Sequence, residues 1–235
     1  MKHTRRNSLV NLKMYLAGLI LGGFGLAGTT CAQTAKPEII DYYWNHAAQS
    51  WHSNQKAIAK RLESCDVTAI VKELSRGGVV KSADTSASRY FYSPGGVDSI
   101  VRLSGDKRLS VDVDLALPAI FDGLYQKSFF PNDTGAGDLA IGFDTDTLVD
   151  RRPSGILTIN RDFYYARRLH ISWPHKPGFR RFGRSYHFVQ MDQLTVIDTI
   201  IESAVIERLL ADDDYRLEIT ITNYRLRPPT DSLSH

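Results

Sequence analysis

The stretch YRLEITITNYRLRPP, at residues 215–229, alternates apolar and polar side chains as a half-buried β-strand does. Three apolar residues lie on one face of that strand: Leu217, Ile219 and Ile221. The alternation then slips, so that Tyr224 and Leu226 carry the apolar pattern with the opposite parity. One extra residue in a paired strand, a β-bulge, causes such a slip and bends the strand. The sequence therefore predicts a strand of a curved sheet, with these five apolar residues facing its interior.

A period of two recurs along most of the chain. From Glu63 onward apolar and polar residues alternate, and Gly-rich turns separate later segments. Further strand candidates are DSIVRLSGDKRLSVDVDL, with a turn at Gly105 and Asp106, then DLAIGFD, GILTINRD, ARRLHISW, RSYHFVQM and LTVIDTII. A helix is an alternative at residues 205–210, but three consecutive Asp residues favour a hairpin turning at 212–214. The count is nine to eleven antiparallel strands.

Residues 37–61 precede the strands and are predicted to form a helix. Apolar residues recur there at helical spacings: Ile40, Trp44, Ala47, Trp51 and Ile58. Pro37 suits the first helical turn, where its missing N–H costs nothing. Such large aromatic side chains need a broad apolar surface to bury against. The predicted fold class is α+β: a strongly curved antiparallel β-sheet, an incomplete barrel, packed against an N-terminal amphipathic helix.

Residues 1–32 have the pattern of a secretory signal peptide. The segment is basic at its start, and its apolar part at 14–26 is shorter than a bilayer span. Small residues around GTTCAQ favour cleavage after Ala32, which predicts a periplasmic protein. Cys31 has a second interpretation, as the acylated first residue of an outer-membrane lipoprotein. The remaining chain divides into one β-rich domain at 33–228 and a flexible, polar tail at 229–235.

Removing this leader changes the charge balance. The chain has 29 Lys and Arg against 26 Asp and Glu, and all four charged residues of the leader are basic. Without the leader, 25 Lys and Arg stand against 26 Asp and Glu, a net charge of −1. The composition therefore does not indicate a nucleic-acid partner. Cys65 is then the one remaining cysteine, which excludes an internal disulfide, and its alternating apolar setting predicts a small core residue.

The sequence contains no strong motif for catalysis or metal binding. It lacks a nucleophile elbow, a phosphate loop and spaced Cys/His zinc ligands, so we expect no enzyme, no cofactor and no metal. His46 and His52 are six residues apart, which does not place both on one helical face. Three acids resemble part of a calcium loop but fit an ordinary strand end better: Asp144, Asp146 and Asp150. As an alternative, an enzyme would need a cleft that joins Asp114, Asp122 or the pair His170 and His175.

The segment ARRLHISWPHKPGFRRFGRS combines cations and aromatic rings. It contains six cations, Arg167, Arg168, Lys176, Arg180, Arg181 and Arg184, among the rings of Trp173, Phe179 and Phe182. No acidic residue occurs from Phe163 to Met191. A loop of this kind suits an anionic surface, either lipid head groups or an acidic protein. The alternative is a charged loop that only keeps the protein soluble.

The order of these segments resembles that of periplasmic lipoprotein carriers of the LolA/LolB-like superfamily. The resemblance rests on a leader, an amphipathic helix and DVTAIVKELSRGGVVKSADTSASRYFYSP, in which an aromatic cluster precedes Pro94. GILTINRDFYYARRLHISW and YRLEITITNYRL continue it, whereas residues 174–184 are an insertion by that measure. The resemblance implies an incomplete barrel with helices plugging an apolar cavity. It also implies that the protein holds acyl chains of lipids or lipoproteins as they cross the periplasm.

Two groups of site residues follow. The hydrophobic face is expected to comprise Trp44, Trp51, Tyr90, Tyr92, Leu217, Ile219 and Ile221. Contact with an anionic surface is expected from Arg102, Lys176, Arg180, Arg181 and Arg184, among which Arg102 is the nearest candidate for the functional arginine of the carriers. The alternative function is a non-enzymatic envelope module with a filled core that binds a protein or glycan through the basic aromatic loop. Periodicity does not distinguish a filled core from a lipid cavity.

Overall fold

A computed structural model describes residues 37–75, 77–94, 96–105, 119–121, 125–130, 137–145, 152–173, 176–206 and 213–228. The predicted leader at 1–32 with Cys31, the predicted tail at 229–235 and Asp106 of one predicted turn lie outside these residues.

Within the described residues the chain forms one helix followed by ten strands. The elements are α1 Pro37–Arg61, β1 Leu62–Leu74, β2 Val80–Ser93, β3 Gly96–Gly105, β4 Gln126–Phe130, β5 Asp138–Asp144, β6 Ser154–Asn160, β7 Ala166–Ser172, β8 Phe179–Met191, β9 Leu194–Ile206 and β10 Asp213–Leu226. The strands form one sheet in the order β3-β2-β1-β10-β9-β8-β7-β6-β5-β4, with every neighbouring pair antiparallel. The sheet is not closed between β3 and β4 in the described part of the chain. The predicted fold class, an incomplete barrel with an N-terminal helix, is confirmed.

The bulge predicted near the end of β10 is present. Asp66 pairs with Thr222, but two residues back along β1, Ser64 pairs with Arg225, three residues further along β10. Asn223 adopts a φ of 51° at this point, in the left-handed region that Asn tolerates better than most residues. Tyr224 turns inward beyond the bulge, and its hydroxyl donates a hydrogen bond to the carbonyl of Ile197. The change of parity in the sequence is therefore a change in backbone geometry, with Tyr224 on the core side.

The segment before β10 forms the predicted hairpin. β9 continues through Val205 to Ile206, where Asp213 pairs with it, so the helical alternative is wrong at these two positions. Asp213 and Asp214 already belong to β10, so part of the predicted turn is strand. Asp213 and Asp214 pair with β9, and Asp214 pairs with β1 as well, and this backbone pairing outweighs the preference of Asp for turns.

A continuous cross-strand row runs along the inner face of the sheet, the face against which α1 packs. Successive pairings join one residue from each of nine strands: Ser86, Ala69, Ile219, Ile200, Tyr186, Leu169, Leu157, Ile141 and Phe129. All but Phe129 are buried, and all but Ser86 are apolar. Cross-strand side-chain pairs are the unit of sheet stabilisation, so this row ties the sheet together from β2 to β4.

Helix α1 lies across the inner face with its apolar stripe buried. Trp44 approaches Phe143 of β5, with ring centroids 5.5 Å apart, and Trp51 approaches Phe188 of β8 at 5.6 Å. Ile58, at the end of the stripe, is half-buried. The helix thus passes over the sheet diagonally, from β4 and β5 towards the β8–β9 hairpin.

The C-terminal half of α1 is the more firmly attached. The side-chain amide of Asn54 donates to the carbonyl of Thr195 at 2.7 Å and accepts from its N–H at 2.8 Å. The backbone N–H of Arg227 donates to the carbonyl of Arg61 at 2.7 Å. The helix then continues into β1 at Leu62 without an intervening residue. The N-terminal half is held through side chains, including an ion pair of 2.5 Å between Asp41 and Lys127.

Candidate functional site: the inner face and its charged cluster

The structure brings the predicted hydrophobic-face residues together. Six of them belong to one buried cluster on the inner face: Trp44, Trp51, Tyr90, Leu217, Ile219 and Ile221. Tyr92 is half-buried and packs against that cluster. Two of these residues come from the helix and the others from β2 and β10, so the sheet order is what unites them. Whether they contact a ligand remains a prediction.

The inner face is closed to solvent along most of its length. Leu157, Leu169 and Ile171 have no exposed surface, and Tyr186 retains 1%. Side chains so deeply buried leave no space for a water-sized molecule beside them. The inner face is therefore filled by its own side chains at these positions.

Cys65 occupies the core position that the alternation of β1 predicts. Its side chain has no exposed surface, and its thiol lies 3.9 Å from the hydroxyl of Tyr92. Burial raises the pKa of the Cys65 thiol to about 11, so the sulfur is not a nucleophile at neutral pH. Cys65 is confirmed as a small core residue.

The predicted anionic-surface residues do not form one patch. Arg102 is exposed on β3, an edge strand five positions from β8 in the sheet order. Arg180 and Arg181 are exposed at the start of β8. Lys176 is half-buried and Arg184 lies in a row of inner-face pairs, so these two turn towards the interior. The basic loop thus contributes cations both to the outside of the protein and to the inner face.

Arg184 forms a buried ion pair with Glu202 on the neighbouring strand. Its Nε and Nη2 atoms lie 2.6 and 2.5 Å from Oε2 of Glu202, and its Nη1 donates to the hydroxyl of Tyr186 at 2.9 Å. Glu202 is only 1% exposed, and its Oε1 has no hydrogen-bond partner among the described residues. Burial raises the pKa of Glu202, while the attraction of Arg184 opposes that shift.

The ammonium of Lys176 lies among three aromatic rings, close to the ion pair of Arg184 and Glu202. Its Nζ is 3.5 Å from the ring centroid of Phe182, 5.5 Å from that of Phe179 and 5.8 Å from that of Trp173. Burial lowers the pKa of Lys176 to about 8, while the charge of Glu202 acts in the opposite direction. The inner face therefore carries a charged cluster, defined as Lys176, Arg184 and Glu202, at the part of β8 and β9 remote from their shared turn.

Sequence reasoning missed Glu202. The residue stands in LTVIDTIIESAVI, where an acid among apolar residues of a predicted strand is the signal that could have found it. Its importance depends on the cross-strand pairing of Glu202 with Arg184, which no local pattern specifies. Asp198 is a second acid of the same strand, and its Oδ1 is buried without a hydrogen-bond partner among the described residues.

Candidate metal and catalytic groups are sparse in the described residues. Those residues contain no group of three or more His, Cys, Asp or Glu side chains that could hold a metal ion. His170 is engaged with Ser185, its Nδ1 lying 2.9 Å from the hydroxyl oxygen. Five residues of the calcium and enzyme hypotheses lie outside the described residues: Asp114, Asp122, Asp146, Asp150 and His175. In the part of the chain that the structure describes, no helix has the length and apolarity to span a bilayer.

Comparison with known proteins gives matches in structure. No protein-family model and no curated protein matches the chain. A LolA superfamily protein from Nitrosomonas europaea is 14% identical, with a TM-score of 0.34 over 79% of this chain and 96% of that one. A putative outer membrane lipoprotein-sorting protein domain from Vibrio parahaemolyticus is 8% identical, with a TM-score of 0.41 over 79% and 93%. A DUF1329 family protein from Desulfovibrio piger is 12% identical, with a TM-score of 0.36 over 83% and 95%. The likeness is one of fold alone.

Proposed function

We propose that the protein is a periplasmic binding protein that holds the acyl chains of lipids or lipoproteins against the inner face of its sheet. The observation that carries this proposal is the cross-strand row of apolar side chains extending from β1 to β4 beneath helix α1. An acyl chain needs a long, dry, concave surface, and a curved sheet presents alternate side chains to one. No catalytic step is part of this function.

Helix α1 is the element that opens the face in this proposal. Its C-terminal end is continuous with β1 and is bonded to Thr195 and Arg227, so that end acts as the pivot. Its N-terminal half is held mainly by ring contacts and by the Asp41–Lys127 pair, in which Asp41 is 53% exposed. Exposed ion pairs contribute little, about 0–1 kcal/mol. The half that covers the face at Trp44 is thus the half that costs less to move.

Replacing an indole ring by an acyl chain limits the free-energy cost of moving α1 away from the inner face. Displacing Trp44 exposes its ring, but an incoming acyl chain covers the surface that it leaves. Each buried methylene contributes about 0.8 kcal/mol, so a chain of ordinary length compensates for one displaced indole.

Ligand content and uptake test this function directly. Native mass spectrometry of gently purified protein should show adducts with the masses of lipids. The neutral fluorophore N-phenyl-1-naphthylamine should gain fluorescence with the protein and lose it when oleate is added. Protein that carries no lipid and takes up neither probe nor oleate would contradict the proposal.

The burial of most of the inner face also favours a second candidate, an envelope module with a filled core. Its binding surface would be the exposed part of the basic aromatic loop, where Arg180 and Arg181 lie. Replacing both by Glu should then abolish capture of an acidic envelope protein or glycan. Unaltered capture by the Arg180→Glu/Arg181→Glu variant would remove this candidate.

Export is part of the proposal and rests on the leader alone. The exported protein should begin at Gln33 and be released with the periplasmic fraction. A lipid-modified Cys31 at the N-terminus, with the protein in the membrane fraction, would instead make it a membrane-tethered acceptor. Mass determination of the isolated protein distinguishes the two.

A further inference from the structure

The charged cluster lies where the polar end of an acyl ligand would lie. Arg184 and Glu202 face each other across β8 and β9, within a row whose other inner-face members include Leu217 and Ile171. Met191, at the end of β8 near which Asn54 of α1 is bonded, lies seven residues beyond Arg184. At 3.3 Å per residue this is roughly 23 Å. An acyl chain occupies about 15 Å, half the thickness of a bilayer core. The inner face of β8 is therefore long enough for a chain that starts at the cluster.

The cluster has an excess of positive charge. Lys176 and Arg184 carry two positive charges against the one negative charge of Glu202. The Nε and Nη2 atoms of Arg184 both contact the same oxygen of Glu202, Oε2. A buried ion pair of this kind contributes little net stability, because desolvation offsets the attraction between its charges. Stability alone therefore does not account for a third charge beside the pair.

Lys176 is the member of the cluster available for a ligand. Its ammonium lies over the Phe182 ring and beside Phe179 and Trp173, and no described residue accepts a hydrogen bond from it. The aromatic rings hold the ammonium by cation–π attraction, which leaves N–H donors for the oxygen of a ligand. The side chain is half-buried, so a ligand can reach the ammonium while much of the bulk water is excluded.

We propose that Lys176, supported by Arg184 and Glu202, binds the oxyanion of an acyl ligand, the phosphate or carboxylate group at the polar end of its chain. The inference rests on the proposed function, because it assumes that the chain itself occupies the inner face. Glu202 is a positioning residue that fixes the Arg184 guanidinium, and Lys176 supplies the donors. The site selects acyl ligands with an anionic end over neutral ones of the same length.

Competition between three ligands of one chain length tests the proposal. Oleate, oleyl phosphate and oleyl alcohol are titrated against protein loaded with N-phenyl-1-naphthylamine. We expect the wild-type protein to bind at least one anionic ligand about tenfold more tightly than the alcohol, since one charge-assisted hydrogen bond contributes about 1.5 kcal/mol or more. The comparison of oleate with oleyl phosphate shows which oxyanion the site prefers.

Variants separate the cluster from the rest of the face. Lys176→Met keeps an unbranched apolar stem among the rings, and it should lose the tenfold preference while binding oleyl alcohol as before. Lys176→Arg should retain most of the preference. Lys56→Met removes a cation from an exposed position of α1 and should match the wild type.

Each other outcome overturns the proposal. Equal affinity of the wild-type protein for all three ligands removes the oxyanion site but leaves the acyl-binding function standing. An equal loss in Lys176→Met and Lys56→Met assigns the preference to overall charge and not to the cluster. Failure of every ligand to displace the probe removes both the site and the proposed function.

Discussion

At the scale of single residues, Glu202 is the position where charge and burial conflict most. Replacing Glu202 by Ala leaves the Arg184 guanidinium without its counter-ion on the inner face. Removing one partner of a buried pair destabilises a protein by about 3–5 kcal/mol. Because the Arg184 side chain is still 23% exposed, we expect a loss near the lower limit, about 3 kcal/mol, in urea unfolding.

A double variant tests the cause of that loss. Arg184→Met/Glu202→Leu replaces both charges by apolar groups of similar volume, and it should recover most of the stability lost in Glu202→Ala. If the double variant is as unstable as Glu202→Ala, the effect comes from packing at this position and not from the unpaired charge.

The second residue-scale prediction concerns Asp66 on the opposite face of β1. Arg89 donates hydrogen bonds of 2.6 and 2.8 Å to the Asp66 carboxylate, and Asn223 donates one of 2.9 Å. These bonds, led by those from Arg89, hold the pKa of Asp66 at about 2 against an ordinary value of 3.8. Because the folded pKa is the lower one, this stabilisation is complete above about pH 4 and is lost as the pH falls towards 2.

Replacement by an amide should reveal this contribution. Asp66→Asn is expected to be less stable than the wild type at neutral pH and to show a flatter stability profile between about pH 4 and pH 2. Asp98→Asn, at an exposed position of β3, serves as the control and should keep the wild-type profile. Parallel acid profiles for wild type and Asp66→Asn would show that other groups govern acid unfolding.

At the scale of secondary-structure elements, the bulge in β10 depends on Asn223. The residue combines a φ of 51° with a hydrogen bond to Asp66. Asn223→Ala loses the bond and places a Cβ-bearing residue without a local hydrogen bond in the left-handed region, for a total of about 2 kcal/mol. Asn223→Gly loses the bond but accepts the backbone conformation, so its loss should be about 1 kcal/mol. Equal losses in the two variants, measured by urea unfolding, would contradict the conformational part of this account.

The ion pair between Asp41 and Lys127 holds the N-terminal half of α1 to β4. Asp41→Asn breaks the ion pair to Lys127, and if this half of the helix is the moving cover, probe uptake should become about twofold faster in stopped-flow fluorescence. The midpoint of thermal unfolding should stay within a degree or two, because the pair is largely exposed on the Asp41 side. Glu38→Gln changes an exposed acid three residues before Asp41 and should not alter the rate. Identical rates in Asp41→Asn and wild type would place the opening elsewhere.

The elements differ in how far their sequence specifies them. The alternation of β1, the helical stripe of α1 and the slip before Tyr224 are local patterns, and the structure confirms all three. The sequence did not predict the direction of the Lys176 and Arg184 side chains, because it suggested that all cations of the basic segment contact one anionic surface. Whether a cation faces water or the interior depends on its cross-strand neighbours, here Glu202 and the Phe182 ring, and these are fixed only when β8 and β9 pair.

At the scale of the whole molecule, the remaining question is whether the inner face is a store for a ligand or a permanent core. A ligand that binds only the folded protein raises its stability by RT ln(1 + [L]/Kd), about 2.7 kcal/mol at a hundredfold excess over Kd. For a domain of this size, 1 kcal/mol shifts the unfolding midpoint by about 2–4 °C. If the protein is a carrier, saturating oleate, kept below the micellar concentration of oleate, should therefore raise the midpoint of thermal unfolding by about 5–10 °C.

Butyrate provides the matched control, because it carries the same carboxylate on a chain too short to cover the inner face. A filled-core module should show no gain with either compound. A gain of several degrees with oleate that is absent with butyrate would establish the inner face as the binding surface. A gain of equal size with both would mean that the carboxylate alone is recognised, and an unchanged midpoint with both would favour the module that binds through Arg180 and Arg181.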